Sequence, residues 1–174
     1  MGMFAVFESI ATPAPQAKHC ASIDRCETKL DGKSGLLLGR SESEVRASPE
    51  EIVAYTLNFF GSRIHQSLAD PTSVRQICLE NVHGCHTICF NRAKAAGISH
   101  RTFLFSIVAK KLTAEPAAYA VVVFPIPSHA QIGPKDEAGA IRAETRRNFM
   151  ITEVAPGVSR VNYCVSLDLK GWIP

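Results

Sequence analysis

Residues 159–167 alternate strictly. Val161, Tyr163, Val165 and Leu167 point one way, while Asn162, Cys164, Ser166 and Asp168 point the other, which is the period of a half-buried β-strand. Similar runs rich in Val, Ile and Phe cover residues 74–80, 86–93, 101–110, 118–126 and 139–153. Turn chemistry separates them at Gly97 with Ser99, at Glu115-Pro116, between Pro125 and Pro134, and at Pro156-Gly157. Two further strand-like stretches between His19 and Ala47 flank Asp31-Gly32-Lys33-Ser34-Gly35, whose glycines suit a turn.

One helix interrupts this succession. Ser48-Pro49-Glu50-Glu51 predicts its start, with Ser48 as cap, Pro49 at the first helical position and Glu51 closing a capping box. The period of the following residues puts Ile52, Tyr55 or Thr56, and Phe59 or Phe60 on the buried face, and Gly61 is a natural stop. A second short helical piece is expected at residues 62–68. Strands, a helix and then an antiparallel meander make an α+β pattern, not the repeated βαβ of a doubly wound fold.

The chain of 174 residues suits one domain, with an Ala- and Pro-rich leader at residues 1–18 expected to be poorly ordered. Hydrophobic residues make up 46% and charged residues 20%, ordinary values for a globular chain. The longest apolar run, residues 117–127, is shorter than the roughly 20 residues a membrane-crossing helix needs. A net charge of +3, with Lys and Arg dispersed, argues against nucleic acid as a partner. The six cysteines (Cys20, Cys26, Cys78, Cys85, Cys89, Cys164) are scattered and no basic, apolar leader precedes them, so reduced, mostly buried thiols in a cytoplasmic protein are expected.

Motifs for catalysis are missing. The chain has no Gly-x-Ser-x-Gly elbow, phosphate loop or dinucleotide fingerprint. His83, Cys85, His86 and Cys89 are the one cluster with metal-like residue types, but strand alternation splits them between two faces and no Cys-x-x-Cys pair is present. No metal or cofactor is expected. Lys110-Lys111 and Arg146-Arg147 are short basic pairs whose simplest reading is solvated surface, with contact to lipid head groups as the functional one.

Three phrases carry a family resemblance. Ala47-Ser48-Pro49-Glu50-Glu51 opens the helix, Ser99-His100-Arg101-Thr102-Phe103 opens a strand, and Arg142-Ala143-Glu144 begins the stretch that ends in Asp168-Leu169-Lys170-Gly171-Trp172-Ile173-Pro174. Together they resemble the START domain, the lipid-binding module of the steroidogenic acute regulatory protein and its relatives, over residues 19–174. The resemblance implies a helix-grip fold, in which a curved antiparallel sheet wraps around a helix and encloses a hydrophobic cavity. It further implies a monomeric, non-enzymatic protein that binds one lipid, a sterol, phospholipid or similar hydrophobic ligand. Such a protein would carry or sense that lipid and touch membrane surfaces transiently as a peripheral protein. The family continues past Gly-Trp-Ile-Pro into a long helix across the cavity mouth, so a domain lacking that C-terminal helix is expected.

Apolar residues at strand period are the candidate pocket lining: Ile88, Phe90, Phe103, Phe105, Ile107, Val121, Val123, Val161, Tyr163 and Val165. Alternation alone leaves open which strand face is the concave one. Where sterol-binding members of the family place a cavity Glu and Arg, this chain has Ile88 and Ile107, implying a drier, less directional pocket. Arg142 and Glu144, two apart on one strand face, are candidate polar anchors near the pocket, against a structural salt bridge or solvated face as the simpler reading. Two other function classes stay open: a regulatory interaction module of a larger signalling protein, and an enzyme on the same scaffold, which would need acid or base groups facing inward.

Overall fold

The structure is a computed structural model. It describes residues 20–30, 36–58, 73–94 and 99–171. The expected leader, the Asp31–Gly35 turn, the helix stop at Gly61, the helical piece at 62–68 and Trp172 lie outside the described residues.

Strands β1 (Cys20–Leu30) and β2 (Leu37–Val45) precede helix α1 (Pro49–Asn58). Then come β3 (Ser73–His83), β4 (His86–Ala93), β5 (His100–Thr113), β6 (Ala118–Pro125), a four-residue helix α2 (Pro134–Glu137), β7 (Ala140–Arg142), β8 (Glu144–Ala155) and β9 (Val158–Asp168). They form one sheet in the order β1-β2-β9-β8-β6-β5-β4-β3, whose ends do not pair, with β7 added beside β5. The predicted strands and α1 are all present.

One stretch differs from expectation. Residues 139–153 are not a single strand, because the chain changes neighbours at Ala143. Strand β6 leaves β5 at Pro125, opposite Phe105, and β7 takes the vacated edge, parallel to residues 100–102. Ala143 donates its N–H to the Thr102 carbonyl (2.9 Å), and β8 then runs between β6 and β9. The buried methyl of Ala143 packs in the core at this corner.

Helix α1 begins with the expected capping box. The Ser48 N–H donates to Glu51 Oε2 (2.8 Å), and the Glu51 N–H returns to Ser48 Oγ (3.3 Å). Its buried face is Pro49, Val53 and Leu57, with Ile52 and Thr56 beside it, while Tyr55 is 56% exposed. The face is therefore rotated from the expected one. Glu50 accepts a hydrogen bond from the Tyr119 hydroxyl (2.7 Å), and Thr87 Oγ1 donates to the Leu57 carbonyl (3.3 Å). These two bonds hold both ends of the helix against the sheet.

Candidate functional site

The strand registers decide which residues look at α1. Among β2, β4, β5, β6, β8 and β9, odd-numbered residues sit opposite odd-numbered residues except at the turn ends of two hairpins, where Thr113 meets Ala118 and Ala155 meets Val158, so the body of one sheet face is odd. The core cluster containing Val53 and Leu57 of α1 consists of odd-numbered strand residues, including Cys89, Phe103, Phe105, Ile107, Val121, Ile151 and Val161. The odd face is thus the one that the helix grips.

Of the candidate lining, Phe103, Phe105, Ile107, Val121, Val123 and Val161 belong to this single cluster, and Tyr163 and Val165 continue it half-buried along β9. Tyr163 stacks on Phe149 of β8 with ring centroids 4.7 Å apart. The register separates the remaining four candidates from them. Ile88 pairs with Ser106 and Phe90 with Leu104, all even-numbered, on the outer face. Only Ile107 of the Ile88–Ile107 pair therefore faces the helix.

That outer face has its own cover. Segment 126–143 folds back across it, with Arg92 donating to the carbonyls of Asp136 (3.0 Å) and Ala138 (2.8 Å), and Thr102 Oγ1 to Glu137 Oε1 (3.2 Å). Phe90 and Leu104 are buried on this outer face, apart from the helix cluster. Arg142 is paired to Glu137 in the same layer. Glu144 instead meets Arg146 (3.2 Å) and Lys170 (3.5 Å). Arg142 and Glu144 thus serve separate ion pairs outside the gripped face.

Between α1 and the sheet lies a groove of about 540 Å³, lined by Val53, Ala54 and Leu57 of the helix, by Cys85 of the β3–β4 turn, and by Ala109 and Tyr119 of the strands, among others. At its rim Tyr119, Glu50 and Lys111 form a polar cluster. Lys111 Nζ lies 3.6 Å from Glu50 Oε1 and 5.4 Å from the centre of the Tyr119 ring. The Tyr119 hydrogen bond, then the Lys111 charge, holds the Glu50 carboxyl below its usual range despite some desolvation.

Of the thiols expected to be mostly buried, Cys78, Cys85 and Cys164 are exposed, because they lie on the edge strand β3, on the turn after it and on the even-numbered face of β9. Two inward groups were not among the candidate lining. Cys89 is fully buried on the odd face, and burial pushes its thiol up to about 12, with the Cys78 thiol opposite it adding to the effect. Arg147, read above as half of a surface pair, projects from the odd face of β8 between Val123 and Val165. The signal was present: Thr145, Arg147, Phe149 and Ile151 share one side of any regular strand. Among the described residues, no set of three or more His, Cys, Asp or Glu side chains is placed to hold a metal ion.

Solved structures share this arrangement. The lipid transfer and protein localization domain of human StarD13 matches with a TM-score of 0.64 at 22% identity, over 90% of this chain and 76% of that one. Human StAR-related lipid transfer protein 5 matches with a TM-score of 0.64 at 15% identity, over 98% of this chain and 82% of that one. A STAR-related lipid transfer protein from Xanthomonas axonopodis matches with a TM-score of 0.65 at 16% identity, over 88% of this chain and 84% of that one. No family model and no curated protein matches the chain. At these identities the likeness establishes the fold: a START-like curved sheet gripping a helix.

Proposed function

We propose that the chain binds one lipid or comparable hydrophobic ligand between α1 and the odd face of the sheet, and carries or senses it without chemical change. The observation that supports this reading most is the composition of the gripped face. Its centre, from β4 to β9, is a buried apolar cluster, and the helix, anchored at both ends, leaves a groove beside it. Each methylene moved from water onto such a surface gains about 0.8 kcal/mol, so an ordinary acyl chain supplies ample affinity. The solved neighbours named as lipid-transfer proteins support the same reading.

Such a ligand would enter and leave at a membrane, where the bilayer offers it an equally apolar home. Among the described residues no helix is long and apolar enough to cross a membrane, and the proposed contact is a transient one at its surface. Native mass spectrometry after incubation with mixed liposomes tests the reading. A bound mass at one lipid per chain is expected, with label moving from donor to acceptor vesicles if the protein is a carrier. A chain that stays empty after exposure to sterols, fatty acids and phospholipids would overturn it.

A further inference from the structure

Arg147 occupies the gripped face with only apolar cross-strand neighbours. Across β6 its partner is Val123, across β9 it is Val165, and the next inward residue of its own strand is Phe149. It is half-buried, and its Nε donates to Thr145 Oγ1 at 3.2 Å. Among the described residues no carboxylate pairs with it, whereas the neighbouring Arg146 points outward and meets Glu144. A guanidinium carries five N–H donors, so most of this one's capacity is available to a ligand.

A second polar group stands beside it. Burial raises the Tyr163 phenol above its ordinary range, and the positive charge of Arg147 works in the opposite direction, which places the two groups within electrostatic reach. A cation against Val, Phe and Tyr is unfavourable without a counter-charge, because part of its hydration is lost and, among the described residues, the Thr145 hydroxyl replaces only one donor's share of it. What would complete the site is an anionic oxygen attached to hydrocarbon.

We propose that Arg147, with Tyr163 beside it, is a head-group subsite on the gripped face, further along the sheet than the groove beside α1, selecting lipids that present a carboxylate or phosphate oxygen. This rests on the lipid-binding reading above. The guanidinium donates two charge-assisted hydrogen bonds to the oxygens of the anionic head, the Tyr163 hydroxyl donates a further one, and the acyl chain lies along Val123, Val165 and Phe149. Selectivity then follows from head-group charge rather than chain shape.

The test compares matched probes on the full chain: oleate against methyl oleate, and dioleoylphosphatidate against dioleoylglycerol, by competition with a fluorescent fatty acyl probe. Oleate, phosphatidate or both should bind about tenfold or more tighter than the neutral partner, as a charge-assisted hydrogen bond in a partly dry site implies. The pair that discriminates identifies carboxylate or phosphate as the head. In Arg147→Gln the advantage should vanish while the neutral probes bind as before, which also shows that the variant is folded. Arg147→Lys should keep part of the advantage, and Arg146→Gln, on the outer face, all of it. Equal binding of charged and neutral probes by the unaltered chain, or an unchanged ratio in Arg147→Gln, would overturn the subsite while leaving the carrier reading standing. Failure of all four probes to bind would overturn the subsite, and a chain that also stays empty in the mixed-liposome experiment would overturn both.

Discussion

Arg101 Nε lies 2.6 Å from the carbonyl oxygen of Leu169, a residue 68 positions further along the chain. The same guanidinium donates to the carbonyls of Lys170 (3.1 Å) and Ser99 (2.5 Å), and the side chain is almost fully buried. The start of β5 is thereby tied to the turn that leads the chain out of β9. Three carbonyl oxygens in a fixed fan suit a planar fork of donors, not a single ammonium.

Replacing Arg101 should therefore cost more than any surface arginine. Arg101→Met is expected to destabilise by about 2–4 kcal/mol, because the three carbonyls lose their donors inside the fold. Arg101→Lys should recover only part of this. Urea denaturation of the two variants checks the order.

The turn itself depends on Gly171, whose φ is +68. An added Cβ would lie 2.8 Å from Ile141 Cδ1 as well as in the left-handed region. Gly157 has a similar φ (+71), but open space surrounds its Cβ position. Both alanine variants should lose about 1 kcal/mol from backbone strain. Gly171→Ala should melt at the lower temperature, since Ile141 must also give way.

Acid should weaken the same region. Asp168 accepts the Lys170 N–H (3.0 Å) and pairs with its ammonium (2.6 Å), and that side-chain bond, the largest cause, holds its carboxyl below the usual range. A depressed carboxyl stabilises the fold above its unfolded value and loses that contribution as pH falls through the folded one. The difference in melting temperature between the unaltered protein and Asp168→Asn should be largest near neutrality and shrink below about pH 4. A gap constant from pH 7 to 3 would show that the ion pair contributes nothing.

Cysteine labelling reads burial directly. With its thiol pushed up to about 12 and no exposed surface, Cys89 should remain unmodified by iodoacetamide at pH 8, where about one thiol in ten thousand is ionised. Cys78, Cys85 and Cys164 are exposed and should react within minutes. Peptide mapping before and after denaturation separates the two classes.

The two sheet faces should respond differently to substitution. Phe90→Ala, on the outer face, is expected to cost about 3–5 kcal/mol while leaving lipid capture per folded molecule unchanged. Val165→Trp, on the gripped face, should reduce capture with the melting temperature within a few degrees of the original. Equal effects of both on capture would argue that the hollow is not where the odd face places it.

Much of the scaffold was legible because its signals are local. Ser48, Pro49 and Glu51 announce the start of α1 within four residues, and they form the predicted box. The alternation of Val161 to Leu167 marks β9 without any knowledge of its neighbours. The break at Ala143 was not legible, since nothing in Ile141 to Thr145 disfavours a continuous strand. It arises because β6 leaves β5 at Pro125 and frees an edge. The rotated face of α1 is similar: Tyr55 is apolar enough to be buried, and contacts with Tyr119 and Thr87 turn it to solvent.

The candidate site divides the same way. That Ile88, Phe90, Phe103 and Ile107 lie in strands and are largely shielded from water is written in their residue types and spacing. Which of them faces α1 depends on register between strands, and a chain read alone carries no register. Ile88 and Phe90 share the outer face with Arg92, which binds a segment some forty residues downstream, and hydropathy cannot distinguish burial on that face from the wall of a hollow.

The amino-acid order by itself thus determined the element types, the capped helix and the apolar character of the strands, because caps, turns and alternation act over a few neighbouring residues. Only the tertiary structure decided that odd-numbered residues form the gripped face, that Arg142 and Glu144 belong to outer ion pairs, and that Arg147 stands inside. Those outcomes depend on hydrogen-bond registers between strands far apart in the chain, where the competing alternatives differ by a shift of one residue.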